Sequence, residues 1–77
     1  MIAEELLERY AAGERDFSGV DLPQIILRNA NLTNTNLSYS IWQGSDFRNA
    51  DLSRADLSGS NLKFCRLEDT LLRDADL

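Results

Sequence analysis

Residues 47–62 read FRNADLSRADLSGSNL, and a large apolar residue stands at every fifth position of this stretch. In most copies the residue two places earlier is small, and the residue between the two is Asp or Asn. A period of five matches neither the 3.6-residue turn of an α-helix nor the two-residue alternation of a strand. The spacing therefore predicts a backbone that turns a corner every five residues, with one large and one small side chain directed inward from each side.

The same spacing continues in both directions from this stretch and covers residues 17–77. All thirteen slots hold a large apolar residue, and the slot before each of them is Asp or Asn in nine of thirteen cases. We predict that the thirteen large residues form the structural core: Phe17, Leu22, Leu27, Leu32, Leu37, Trp42, Phe47, Leu52, Leu57, Leu62, Leu67, Leu72 and Leu77.

This pattern resembles the pentapeptide-repeat family, whose motif is a small residue, Asp or Asn, Leu or Phe, and two variable residues. The resemblance covers residues 15–77. It implies an all-β solenoid, namely a right-handed quadrilateral parallel β-helix of about three coils with four pentapeptides in each coil. Each large residue then stacks on the residue one coil away, so that burial is cooperative along the axis.

Residues 1–13 are predicted to form an N-terminal capping helix, and residues 14–77 the β-helix. Good helix formers dominate the first segment. Its apolar residues fall on one stripe, which we expect to cover Phe17 and the open first coil: Ile2, Ala3, Leu6, Leu7 and Tyr10. A helix that binds the groove of a partner is the alternative. The segment after this helix, residues 11–19, resembles the N-termini of cyanobacterial pentapeptide-repeat proteins, which favours a cyanobacterial source.

The sequence ends at Leu77, in an inward slot, so the last coil is expected to expose its lower apolar edge. Exposed edges and apolar patches favour pairing. Two explanations are open: the edge packs on a second copy of the chain, or the natural chain continues past Leu77. Members of the family often pair through their C-terminal coils. The resemblance therefore favours a homodimer through the C-terminal coil.

The composition argues against an enzyme, a cofactor site and a metal site. The chain has no His and a single Cys, and its formal net charge is −5. Cys65 occupies a small inward slot and is expected to be a buried, inert thiol, because a catalytic Cys needs an activating base. The Asp and Asn side chains are expected to bind backbone amides at the corners rather than to act as acids or bases.

Partners and compartment follow from the same composition. No segment approaches the run of about 20 apolar residues that spans a membrane, and the N-terminus lacks the features of a signal peptide. We therefore expect a cytoplasmic protein without membrane contact. The acidic balance disfavours nucleic acid as a direct partner, because binding to phosphates needs clustered Lys and Arg.

The outward positions carry a few large apolar residues, which we regard as a possible interaction surface: Tyr39, Ile41, Phe64 and Leu71. We predict a non-catalytic protein–protein interaction or scaffold module whose partner the sequence does not identify. The resemblance implies one alternative, a DNA mimic that inhibits or protects DNA gyrase. Residues 17–77 hold eight acidic and six basic residues. The repeat region is thus nearly neutral, which argues against mimicry of a polyanion.

Overall fold

The computed structural model describes residues 1–77, which form one α-helix followed by a four-sided rod. Helix α1 spans Ala3–Ala11, and Glu4 and Glu5 lie in its first turn, at the positive end of the helix dipole. The chain leaves the helix through Gly13, whose φ of +103° suits only glycine. No helix of the structure has both the length and the apolar character needed to cross a membrane.

Nine isolated parallel β-bridges hold the rod together, and each joins residues twenty positions apart. They are Asp16–Asn36, Asp21–Ile41, Ile26–Asp46, Asn31–Asp51, Asn36–Asp56, Ile41–Asn61, Asp46–Arg66, Asp51–Leu71 and Asp56–Asp76. Each strand is a single bridge residue, because the chain turns immediately afterwards. One coil therefore has four sides of five residues. We number the sides 1 to 4 in chain order, starting in the first coil at residues 15, 20, 25 and 30 respectively.

Each corner of the rod contains a residue in the left-handed conformation, two positions after the large residue. The twelve corner residues have φ between +54° and +73°. This is the conformation that a type II turn requires at its third residue. Eight of the twelve are Gly, Asn or Asp, the residues that tolerate it best. The second variable position of the repeat is therefore also restricted, because its residue must adopt the left-handed backbone conformation.

The hydrogen bonding of a corner depends on the small residue one coil below it. Above Ala50 the turn closes directly, because the Ala30 amide donates to the Leu27 carbonyl at 3.2 Å, whereas above Ala55 the Thr35 hydroxyl donates to the Leu32 carbonyl at 2.6 Å. Above a serine the hydroxyl enters the turn. The Ser45 hydroxyl accepts from the Ile25 amide and donates to the Leu22 carbonyl, both at 3.1 Å. Ser40 and Ser60 bridge their corners in the same way. Inward serines are therefore satisfied by the backbone of the preceding coil.

The core is a stack of large side chains along the rod axis. Nine of the thirteen predicted core residues are buried, from Phe17 to Leu57. Trp42 is fully buried, and its indole N–H donates to the Leu37 carbonyl at 3.3 Å. The Trp42 and Phe47 rings meet edge to face with centroids 5.7 Å apart. The rod thus accommodates the tryptophan inside, with its one polar atom paired.

The four remaining predicted core residues are not buried. Leu62 and Leu72 are half-buried, while Leu67 and Leu77 are exposed. Their upper surfaces stack on the preceding coil, but no coil of the described chain lies below them. The core predicted from the repeat is therefore reduced from thirteen residues to nine, and the open edge predicted at the C-terminal end is present.

Helix α1 packs on the first coil through a narrower stripe than the sequence predicts. Leu6 is fully buried in the core, and Ala3 and Tyr10 pack against the core. The Tyr10 hydroxyl donates to the Thr33 carbonyl at 2.9 Å. Ile2 and Leu7, which the predicted stripe included, are instead exposed. Only one line of side chains reaches the coil because the helix is short and its curved surface meets a narrow rod.

Candidate functional site

Three of the four residues predicted for interaction lie on side 2 or at its ends. Tyr39 and Phe64 are corner residues at the two ends of this side, 74% and 82% exposed, with φ of +54° and +61°. Ile41 lies between the two corners and is also exposed, and its backbone bridges to Asp21 above and Asn61 below. We call Tyr39, Ile41 and Phe64 the side-2 patch.

The fourth residue, Leu71, lies elsewhere. Its backbone bridges to Asp51 on side 4, which is the opposite side of the square from side 2. Leu71 is exposed, but it cannot contact the same partner surface as the side-2 patch. Leu71 therefore lies outside the side-2 patch, and its predicted role in interaction stays a prediction.

A glycine one coil below supports the Tyr39 ring. A Cβ atom built on Gly59 would lie 2.5 Å from Cδ1 and 2.6 Å from Cε1 of Tyr39. The ring therefore lies directly on the backbone at Gly59. Gln24 rests on Gly44 in a similar manner, with its Cγ 3.2 Å from the position of a glycine Cβ. At these two corners the side chain folds toward the next coil, and a glycine there leaves room for it.

The contact between Tyr39 and Gly59 does not appear in the local repeat pattern. The available signal was their separation of twenty residues, which equals one coil. Phe64 has no residue one coil below it in the described chain, and its ring is the more exposed of the two. The two aromatic side chains therefore present different surfaces, one lying flat along a corner and one free at the C-terminal edge.

The strongest electrostatic cluster lies outside the patch, on side 3. The Asp46 carboxylate accepts the Arg28 guanidinium at 2.7 Å and two Arg48 nitrogens at 2.9 and 2.8 Å. Hydrogen bonds from Arg48 hold the pKa of Asp46 far below its usual range, and Arg28 acts in the same direction. This carboxylate is hydrogen-bonded to two guanidinium groups. It therefore has a structural role and is not available to act as a general base.

The other Asp and Asn residues of the repeat act mainly as local caps. The Asp56 carboxylate accepts from the Ser58 hydroxyl at 2.6 Å and from the Ser58 amide at 2.9 Å. These bonds lower the pKa of Asp56. Asp16, Asn31, Asn36, Asp51 and Asn61 cap the residue two positions later in the same way. The slot thus serves the corner that follows it, as the sequence predicts.

The single thiol is also engaged. Cys65 is partly buried, and its S–H donates to the Trp42 carbonyl at 3.0 Å. Burial raises the pKa of this thiol, which disfavours the nucleophilic thiolate. No group of three or more Cys, Asp or Glu side chains has an arrangement that could hold a metal ion.

Comparison with known proteins agrees with this geometry. The family model described as pentapeptide repeats matches the chain in eight copies, over residues 16–49 and 30–69. The solved structure of HetL from the cyanobacterium Nostoc sp. strain PCC 7120, a pentapeptide repeat protein involved in heterocyst differentiation regulation, is 39% identical with a TM-score of 0.58. That match covers 100% of this chain and 37% of HetL, so the chain spans little more than a third of that relative.

A second solved structure is that of alr5209, a pentapeptide repeat protein from Nostoc PCC 7120. It is 30% identical with a TM-score of 0.54, and the match covers 92% of this chain and 75% of alr5209. No curated protein matches the sequence.

Proposed function

This chain belongs to the pentapeptide-repeat family, and from that premise we propose that it is a non-catalytic protein–protein interaction module that binds its partner through the side-2 patch. Members of the family form right-handed quadrilateral β-helices and are generally not enzymes. The repeat region of this chain corresponds to about three coils of such a rod. The sides of the rod hold a few exposed residues in fixed positions, and these residues determine which partner binds.

The observation that carries the proposal is the pair of bulky aromatic residues at left-handed corners. A residue with a Cβ atom costs about 1–2 kcal/mol in this conformation. Glycine, asparagine or aspartate would be less costly, and they occupy most other corners. Neither Tyr39 nor Phe64 is needed for burial, because both are more than 70% exposed. Exposed aromatic side chains around an aliphatic one are typical of the residues that dominate binding energy at protein interfaces.

Pull-down experiments with variants of the two aromatic corner residues test this function. We expect Tyr39→Asn together with Phe64→Asn to leave the rod folded, because asparagine favours the same backbone conformation. A pull-down from the source organism should recover a partner with the natural chain and lose it with this double variant. Leu71→Asn on side 4 is the matched control and should retain the partner. Recovery of the same proteins with all three baits would contradict the proposal.

We also propose that two copies of the chain pair through the C-terminal edge. Leu67 and Leu77 are exposed there. The amides of Leu62 and Leu72 have no acceptor, and the Cys65 carbonyl has no donor. The edge therefore offers apolar surface together with backbone donors and acceptors, as pairing of two strands requires. Sedimentation velocity at tens of micromolar should show a dimer for residues 1–77 and a monomer for Leu67→Asp. A monomer in both cases would contradict this mode of assembly.

A further inference from the structure

A single groove indents the surface of the molecule, between the start of helix α1 and the upper edge of the first coil. Its volume is about 390 Å³. Ile2 and Ala3 line it from the helix, and Leu22, Pro23 and Ile26 line it from the coil. Ile2 and Ile26 are 64% and 61% exposed, so the groove is open and largely apolar.

The coil below shows how the backbone at this edge is built to pair. On side 2, the Leu22 amide donates to the Ile41 carbonyl and the Gln24 amide donates to the Gln43 carbonyl, each at 2.8 Å. The bridge positions of the second coil therefore point their carbonyls toward the first coil. The repeat places the equivalent groups of the first coil in the same orientation, toward the groove.

Those equivalent groups in the first coil have no partner. The carbonyls of Asp21 and Pro23 accept no hydrogen bond from the protein, and the Asp21 amide donates none. The open edge beside the groove thus has two free carbonyl acceptors and one free amide donor. Their spacing is the one that hydrogen bonds to an additional extended strand would require. A peptide laid along it would donate from two amides two residues apart and accept with one carbonyl.

The side chains around this edge define what such a peptide would carry. Side chains alternate across a strand, so a peptide residue placed above Leu22 would point toward the axis. It would meet mainly the apolar wall formed by Ile2 and Ala3, because little of Leu22 and Ile25 at the floor of the groove is exposed. The groove therefore fits an apolar side chain of aliphatic size at this position.

The charge around the groove favours basic flanking residues. Residues 1–16 hold five acidic and two basic residues, a net charge of −3, and Asp21 adds a further carboxylate at the edge. Two nearby basic residues are already paired: Arg9, which contacts the groove residue Met1, with Glu14, and Arg28 on the following side with Asp46 at 2.7 Å. A peptide with Lys or Arg on both sides of its apolar residue would complement this field.

We propose that this groove binds a short extended peptide, with an aliphatic residue flanked by basic ones, by adding it as a strand to the first coil. This mode of recognition combines backbone hydrogen bonds with a pocket for alternate side chains. The groove lies at the upper edge of side 2, one coil above Ile41 of the side-2 patch, and the variants that test it lie outside that patch.

A fluorescein-labelled hexapeptide, Gly-Ala-Lys-Leu-Lys-Val, tests the site by fluorescence anisotropy with the full chain. Its leucine and valine amides would donate to the Asp21 and Pro23 carbonyls. We expect saturable binding, weakened about 25-fold when those two amides are N-methylated, since each hydrogen bond contributes roughly a factor of five. Absence of binding at about 1 mM protein, or equal binding of the methylated peptide, would overturn the proposal.

Two matched variants locate the peptide on the protein. Ile26→Asn and Leu71→Asn each place the usual repeat residue in the slot that precedes a core leucine, so circular dichroism should show both folded. Ile26→Asn removes an apolar wall of the groove and should weaken peptide binding about tenfold. Leu71→Asn, far from the groove, should leave binding unchanged. Equal effects of the two variants would show that the peptide binds elsewhere, and the proposal would fail.

Discussion

Substitution of Gly59 by alanine tests whether the glycine under Tyr39 is a built feature of the corner. Gly59 has φ +68°, and the added methyl group would lie 2.5 Å from Cδ1 of the Tyr39 ring. Two effects then add. Alanine in the left-handed conformation costs about 1–2 kcal/mol, and the ring must leave its seat. Since the ring is already 74% exposed, its lost contact contributes less, about 0.5–1 kcal/mol.

The expected destabilisation by Gly59→Ala is therefore about 1.5–3 kcal/mol, the sum of these two contributions. For a chain of this size each kcal/mol lowers the melting temperature by about 4–8 °C. Gly19→Ala is the matched control, because Gly19 has φ +70° and nothing lies within 4 Å of its added Cβ. This control should show the backbone cost alone. Thermal and urea unfolding followed by circular dichroism measure both variants.

A double-mutant cycle separates the ring contact from the position in the rod. In the background Tyr39→Asn, the Gly59→Ala change should cost about 0.5–1 kcal/mol less than in the natural chain, because no ring remains to be displaced. The cycle compares the same corner with and without the ring, so differences between the ends of the solenoid cancel. An equal cost of Gly59→Ala in both backgrounds would refute the contact between Tyr39 and Gly59.

Three further predictions concern the core, the carboxylates and the thiol. Leu52→Ala should destabilise the rod by about 2–5 kcal/mol because Leu52 is fully buried, whereas Leu77→Ala should cost under about 1 kcal/mol; urea midpoints compare them, and equal costs would contradict the stacked core. The pKa of Asp46 is lowered in the folded state by Arg48. The contribution of Asp46 to folding stability is therefore present above its unfolded pKa of about 3.9 and is lost as pH falls below that value. The melting temperature should fall from pH 7 to pH 3, and it should fall less steeply in Asp46→Asn. Burial raises the pKa of Cys65, so a disulfide reagent at pH 8 should modify the native thiol at least about tenfold more slowly than the urea-unfolded thiol; similar rates would show that the thiol is accessible.

The repeat made the inward and outward positions of this protein predictable. A strict period of five allows one backbone path, and the large residues along it can be assigned to the core directly. Trp42 is the clearest case, since its slot alone predicts an inward ring, and the ring is fully buried. Of the predicted interaction residues, Tyr39, Ile41 and Phe64 lie together on one side. Leu71 lies on side 4, as its position in the twenty-residue coil requires.

Other features depend on contacts between segments that no local pattern records. The helix buries Leu6 and leaves Ile2 and Leu7 exposed, because the face that meets the coil is set by how the helix docks. The groove beside Ile26 exists only because the helix starts there. Neither feature follows from the spacing of apolar residues. The spacing shows which residues of the helix could be buried, but not how many of them contact the first coil.

The sequence by itself determined the period, the inward and outward alternation and the capping role of Asp and Asn, because each of these is decided within five residues. The tertiary structure decided which corners close directly and which take in a serine hydroxyl from the next coil, and which glycine supports Tyr39. Those features join residues twenty positions apart, so their energies arise from stacking one coil on another and appear only when the coils are in place.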